Sequence, residues 1–284
     1  MSKANTVLEF DKAAMQAREQ AVARETDEEI LDRLKERFDI LTDMTKAVKS
    51  GAVRAMIVSG PPGVGKSYGV EEVLSKYSLL DKLDSSKPIK YEVVKGAMSA
   101  LGLYAKLYEF SAPGTVLVFD DCDSILMEDL SLNILKGALD SSKRRFIAWN
   151  TDSRLLKAED IPDRFEFKGA AIFITNIKFA HIKSKRLKDH LDALESRCHY
   201  IDLEMDTTRE KILRIRQIVT EGMLDHYDFD SPEIARDEIL NFITVNADQL
   251  RELSLRTVLK LADLRRAFPL KWQAMARTTV MRRA

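Results

Sequence analysis

An eight-residue run, Gly60-Pro61-Pro62-Gly63-Val64-Gly65-Lys66-Ser67, constrains this chain more than any other stretch. It fits the spacing G-x-x-x-x-G-K-[ST], between a strand-like apolar run (Val53–Val58) and a helix-like one (Tyr68–Tyr77). Glycines let a backbone turn tightly enough to aim several N–H groups at one phosphate, and a helix start adds its positive end. Lys66 then reaches the outer phosphates and the Ser67 hydroxyl holds Mg²⁺. Gly60 to Ser67 together with Tyr68 form the expected nucleotide-binding set, so the ligands implied are ATP or ADP and Mg²⁺.

The expected fold is α/β. Strand-like runs at Val53–Ser59, Ile89–Val94, Val116–Phe119, Ile172–Thr175 and Tyr200–Leu203 alternate with helical patterns at Val70–Tyr77, Leu101–Phe110, Leu130–Leu139 and Leu187–Glu195. Short, almost wholly apolar strands between helices predict a five-stranded parallel sheet covered on both faces, the αβα sandwich of P-loop NTPases. Arg145–Trp149 and Phe165–Phe167 break the alternation and are expected to form an inserted hairpin. Residues 10–50 read as helix, with Thr26 and Glu29 as a capping box. After Glu204 four helices are expected: one capped by Thr207 and Glu210, one entered through Ser231-Pro232, one after Ser254 and one after Pro269. The domains expected are a helical extension over 1–50, a nucleotide-binding core over 51–204 and a helical lid over 205–284.

The 284 residues carry 45 Lys plus Arg and 45 Asp plus Glu, so no whole-chain field points to nucleic acid or membrane. From Arg251 onward, however, nine basic residues face two acids. That segment fits either a nucleic-acid contact or a solvated helix face. Two cysteines, Cys122 and Cys198, are too few for a disulfide framework and fit a reducing compartment; with no apolar span or signal pattern, a soluble cytoplasmic protein is expected. The four histidines have no metal-ligand spacing.

A strand that ends in acids beside such a loop completes the site. Val116-Leu117-Val118-Phe119 delivers Asp120 and Asp121 at its carboxyl end, where α/β sheets bind ligands. Asp120 is expected to hold Mg²⁺ and Asp121 to orient or deprotonate water.

The ordered set GPPGVGKS, VLVFDDCD, IFITN, ESRC and SLRT resembles the AAA+ ATPase family over about 210 residues. The resemblance implies that Asn176 is the polar sensor between the acids and the γ-phosphate. It implies that Arg197 is an arginine finger reaching a neighbouring subunit's nucleotide, with Arg186 and Arg164 in reserve, and that Arg256 is the lid's sensor arginine. It also implies a ring-forming homo-oligomer, a hexamer, that hydrolyses ATP to remodel a macromolecular client. The Ser196-Arg197-Cys198 triplet resembles clamp loaders and supports a DNA-loading alternative; the hairpin resembles AAA+ branches with an insertion before the sensor. The compact outline is similar to small AAA+ proteins of bacteriophage genomes. Two departures stand out: Asp121 replaces the family's usual Glu, and the aromatic pore triplet is absent from Lys95–Tyr104. Slow turnover, or an ATP-gated scaffold with little hydrolysis, is the third expectation.

Overall fold

The structure is a computed structural model that describes residues 24–83 and 90–283. The first part of the expected 10–50 helix, residues 10–23, and Ile89 of the second expected strand lie outside them. The described chain forms two compact units. One comprises residues 37–60 and 66–203; the other comprises the described residues up to Glu36, the loop Pro61–Gly65 and the chain from Glu204 onward.

The first unit is built on a parallel sheet of β1 (Ala55–Ser59), β2 (Tyr91–Lys95), β3 (Val116–Asp120), β6 (Ala170–Thr175) and β7 (His199–Asp202), in the order β2-β3-β6-β1-β7. Strand periodicity divides its side chains between two cores. Ile57, Leu117, Phe119 and Phe173 face a cluster that includes Leu103 and Leu107 of α3 (Ala100–Glu109), Leu132 and Leu135 of α5 (Asp129–Ala138), and Leu191 and Leu194 of α7 (Lys185–Glu195). Met56, Val58, Val118 and Ile172 face the other, with Leu41 and Val48 of α1 (Asp27–Lys49) and Val70 and Leu74 of α2 (Lys66–Leu83). The helices on both faces and the five parallel strands are those read from the sequence. Thr26 and Glu29 do form the capping box, but the helix starts at Asp27, and residues 24 and 25 lie in a turn and bend before it.

The Ala100–Glu109 helix buries Leu103, Tyr104 and Leu107, and Ser99 caps it by accepting from the Gly102 N–H at 3.2 Å. Short helices α4 (Asp123–Met127) and α6 (Arg154–Ala158) were not legible as helices. The inserted hairpin is present as β4 (Phe146–Ala148) antiparallel to β5 (Arg164–Glu166), and α6 occupies the charged loop between them.

In the second unit, α8 (Thr208–Ile218), α9 (Pro232–Val245), α10 (Leu255–Ala267) and α11 (Trp272–Thr279) enclose Ile215, Ile239, Phe242, Val258, Leu261 and Trp272. The Thr207–Glu210 capping box forms, and the Glu210 carboxylate, 3% exposed, also accepts from the Arg33 guanidinium at 3.1 Å. Ser231 and Ser254 stand at their helix starts, yet neither side chain makes a capping bond. The α8 helix runs on into a π-helical turn, Val219–Met223, that no sequence signal announced.

Close backbone approach fixes one glycine just before β6. A Cβ on Gly169 would stand 2.1 Å from the Phe110 carbonyl oxygen and 2.7 Å from Thr115 Oγ1. Gly169→Ala should therefore lower stability by about 1–3 kcal/mol, since backbone rather than a movable side chain is in the way. Gly114→Ala, at φ +77° with open space around it, should cost only about 1 kcal/mol of backbone strain. Urea unfolding midpoints of the two variants check the order.

Candidate nucleotide site

The sheet order places the carboxyl ends of β1, β3 and β6 side by side, because β6 pairs with both of the others. Gly60 follows β1, Asp120 ends β3 with Asp121 next, and Asn176 follows β6. The three strands bring these chain-distant residues within hydrogen-bond reach.

Lys66, the first residue of α2, is 5% exposed. Its ammonium donates to the Gly60 carbonyl at 2.6 Å and to Asn176 Oδ1 at 2.7 Å. Asn176 Nδ2 in turn donates to Asp121 Oδ1 at 2.8 Å. An ammonium can only donate and a carboxylate only accept, so the Asn176 amide orientation is fixed from both sides. Beside this chain, the Ser67 hydroxyl donates to Asp120 Oδ1 at 2.8 Å. Hydroxyl and carboxylate oxygens so placed suit a small hard cation such as Mg²⁺. Asp120 is 4% exposed, whereas Asp121 and Asn176 are open to solvent.

Asp121 has φ +53°, in the left-handed region. Its N–H donates to the Ile174 carbonyl at 3.1 Å, so the turn is held to β6. Aspartate and asparagine enter this region more readily than longer side chains. The shorter acid at 121 thus matches its backbone.

Two neighbours were missed by sequence reasoning. Lys95, at the end of β2, lies opposite Asp120 in register; its ammonium is 3.3 Å from Asp120 Oδ2 and 2.8 Å from Glu71 Oε1. Thr175, fully buried, donates to Asp123 Oδ1 at 2.7 Å and fastens the end of β6 to the start of α4. The pairing of β2 with β3 was the missing signal for Lys95.

The loop tip Pro61–Gly65 belongs to the second unit. There the Leu255 N–H donates to the Gly63 carbonyl at 2.9 Å, and Val64 is buried. Gly63 has φ +69°, and a Cβ on it would stand 2.7 Å from Ser254 Cβ, which excludes any larger residue. Pro62 is exposed, as is Tyr68 at 72%. Arg256 is exposed on the first turn of α10, directly after Leu255.

The candidate finger Arg197 is half-buried. Its Nη1 donates to the Ala193 carbonyl at 2.6 Å, and its Nη2 lies 4.0 Å from the Asp140 carboxylate. Of the reserves, Arg186 pairs with Asp129, and Arg164 lies over the Phe146 ring at 4.5 Å. Among the described residues no cluster of His, Cys, Asp or Glu has metal-binding geometry of its own, and no helix is long and apolar enough to cross a membrane.

A parallel five-stranded sheet flanked by helices on both faces, with the Gly60–Ser67 loop between β1 and α2, defines an α/β P-loop NTPase fold followed by a helical domain. The chain is 32% identical over 256 residues to an uncharacterized 36.7 kDa protein in the nrdC-mobD intergenic region of Enterobacteria phage T4, spanning 89% of this chain and 76% of the relative. It belongs to the family of that phage protein. No family model matches it. Among solved structures it is similar to the Aeropyrum pernix ORC2 protein in its ADP form, with 14% identity, a TM-score of 0.47, and 86% of this chain and 68% of that one covered. Against the same protein in its ADPNP-ADP complexes the identity is 14%, the TM-score 0.44 and the coverage 87% and 68%.

Both cysteines are free thiols. Burial pushes the Cys198 thiol up to about 12, outweighing the nearby Arg197 charge. Burial and the neighbouring Asp120 charge raise Cys122 as well. Only the thiolate is nucleophilic, so at pH 8 iodoacetamide should leave both residues unmodified in the folded chain and alkylate both in urea. Mass spectrometry reads the difference.

Proposed function

We propose that the chain is a Mg²⁺-dependent ATPase of the AAA+ type that works at the subunit interfaces of a hexameric ring and remodels a protein or nucleoprotein client. The observation that carries this reading is the hydrogen-bonded line Lys66–Asn176–Asp121, with Ser67 and Asp120 beside it. A lysine after a glycine-rich loop, a metal-suited hydroxyl–carboxylate pair and an exposed second acid are the parts that phosphoryl transfer to water requires.

Each residue then has a task. Gly60 to Gly65, Lys66 and Tyr68 hold the nucleotide, and Lys66 places its charge on the outer phosphates. Ser67 and Asp120 hold Mg²⁺, which when bound neutralises charge on the phosphate oxygens. Asn176 fixes Asp121 through Oδ1, leaving Oδ2 to orient a water and accept its proton. Arg256 acts from the helical domain; its neighbour Leu255 already holds the loop tip at Gly63. Arg197 acts on the adjacent subunit's nucleotide after exchanging Ala193 and Asp140 for phosphate oxygens. Residues 51–204 form the catalytic core, 205–284 the lid and 1–50 an extension, in a cytoplasmic setting to which two free thiols are suited.

A DNA-loading role is the second reading, favoured by the exposed cations Arg256, Lys260, Lys271, Arg277, Arg282 and Arg283. Arg265 drops out of that set because it is buried against Glu238 at 2.7 Å and Asp230 at 3.2 Å. ATPase stimulation by single-stranded DNA that weakens steeply with salt separates this reading from a protein client.

Phosphate release and nucleotide affinity of three variants test the site. Lys66→Ala should lose binding. Asn176→Ala should bind normally and turn over about 10²-fold more slowly, as when one positioned polar group is removed. Arg197→Ala should bind normally and lose about 10³-fold in rate; unchanged turnover in the assembled variant would remove the shared-site part of the reading. Asp121→Asn should retain ATP in the assembled state, and an Asp121→Asn chain that hydrolyses normally would transfer the base role elsewhere.

A further inference from the structure

The opposite end of the sheet carries an open pocket, where the chain enters β1, β3 and β6. Among the described residues, four cations line it, Lys49, Arg54, Arg145 and Lys168, and no carboxylate does. Three glycines, at 51, 114 and 169, leave its walls open to backbone.

Two of the cations are held in an unusual way. Arg145, 8% exposed, donates from Nη1 to the Ala138 carbonyl and from Nη2 to the Gly169 carbonyl, both at 3.0 Å. Arg54 Nη1 donates to the Asp140 carbonyl at 2.9 Å and to the Ser142 carbonyl at 3.1 Å. Carbonyl dipoles fix the direction of a guanidinium without cancelling its charge. Among the described residues, neither arginine forms an ion pair with a carboxylate. Burial, and then repulsion from Arg54, lower the Arg145 pKa and outweigh the opposing pull of Glu166.

The nearby acids are committed elsewhere. Glu166 accepts from Arg144 Nε and Nη2, both at 3.1 Å, and lies 3.3 Å from the Lys168 ammonium. The Asp140 carboxylate accepts from the Ser142 N–H at 2.9 Å, lies 4.0 Å from Arg197 and feels the Arg54 charge at longer range. The Lys49 ammonium is turned to the Leu74 carbonyl, so Lys49 contributes wall rather than charge to the argument. A buried cation without a counterion costs several kcal/mol. Paired guanidinium forks match the oxygens of a phosphate group.

We propose that this pocket is a second anion site, separate from the Gly60–Ser67 loop, which binds one tetrahedral phosphate group through Arg54, Arg145 and Lys168. Its source is either a free phosphate group or a phosphate of a nucleic-acid backbone.

Hydrogen–deuterium exchange on the full chain, kept in excess MgADP so that the loop is supplied separately, tests the assignment. Inorganic phosphate, against chloride at equal ionic strength, should protect peptides covering 48–54, 111–116 and 165–170 in a saturable manner. Arg54→Gln with Lys168→Gln, both exposed positions, should raise the half-saturating concentration about 10-fold or more while leaving the unfolding midpoint near that of the parent. A short single-stranded oligonucleotide that protects the same peptides at micromolar concentration, and releases them as salt rises, assigns the group to a nucleic-acid backbone. Protection by inorganic phosphate alone assigns a free phosphate group. No protection by either ligand up to about 50 mM phosphate, or protection unchanged in the double variant, overturns the proposal.

Discussion

The site rests on one ammonium group held between strand ends. Lys66 is buried at the start of α2, where a charge without partners would cost several kcal/mol. It is stabilised by the carbonyl that follows β1 and the amide that follows β6. Those partners are within reach because β6 lies between β1 and β3, which makes the carboxyl ends that carry Gly60, Asn176 and Asp121 neighbours. The polar line and the sheet order therefore support each other: a different order would leave Lys66 without Asn176 and Asp121 without its amide donor.

Much of this was legible in the sequence, for a physical reason. Parallel strands covered on both faces must be apolar throughout, so β1, β3 and β6 announce themselves as unbroken runs that end at the chemistry. Capping boxes are local, and Thr26–Glu29 and Thr207–Glu210 both form as written. What was not legible depends on neighbours far along the chain or on too few residues. Lys95 reaches Asp120 only because β2 pairs with β3. Helices α4 and α6 have five residues each, too short to show a helical period. Ser231 and Ser254 have the right residue type at the right place, but neither side chain turns to cap its helix.

Charge is distributed with the same economy. Among the described residues of this formally neutral chain, cations gather between Arg256 and Arg283 and in the pocket where the chain enters the sheet. In both, some arginines serve structure. Arg265 is tied to two acids and holds α10 to its surroundings, while Arg145 is tied to carbonyls and, among the described residues, has no carboxylate in ion-pair contact. The choice of partner, carboxylate or carbonyl, separates an arginine that is electrically finished from one that still attracts an anion.

The left-handed turn at Asp121 has a consequence for how this family can change. Asparagine enters that backbone conformation as readily as aspartate does, and it is nearly the same size. One base change in the codon would therefore replace the acid with an amide and leave the turn unstrained. Such a chain would fold, keep its loop and its lysine, and have nothing at 121 able to take a proton. The proton-accepting role proposed for position 121 is therefore a single mutational step from being lost, and conformational strain does nothing to guard against that step.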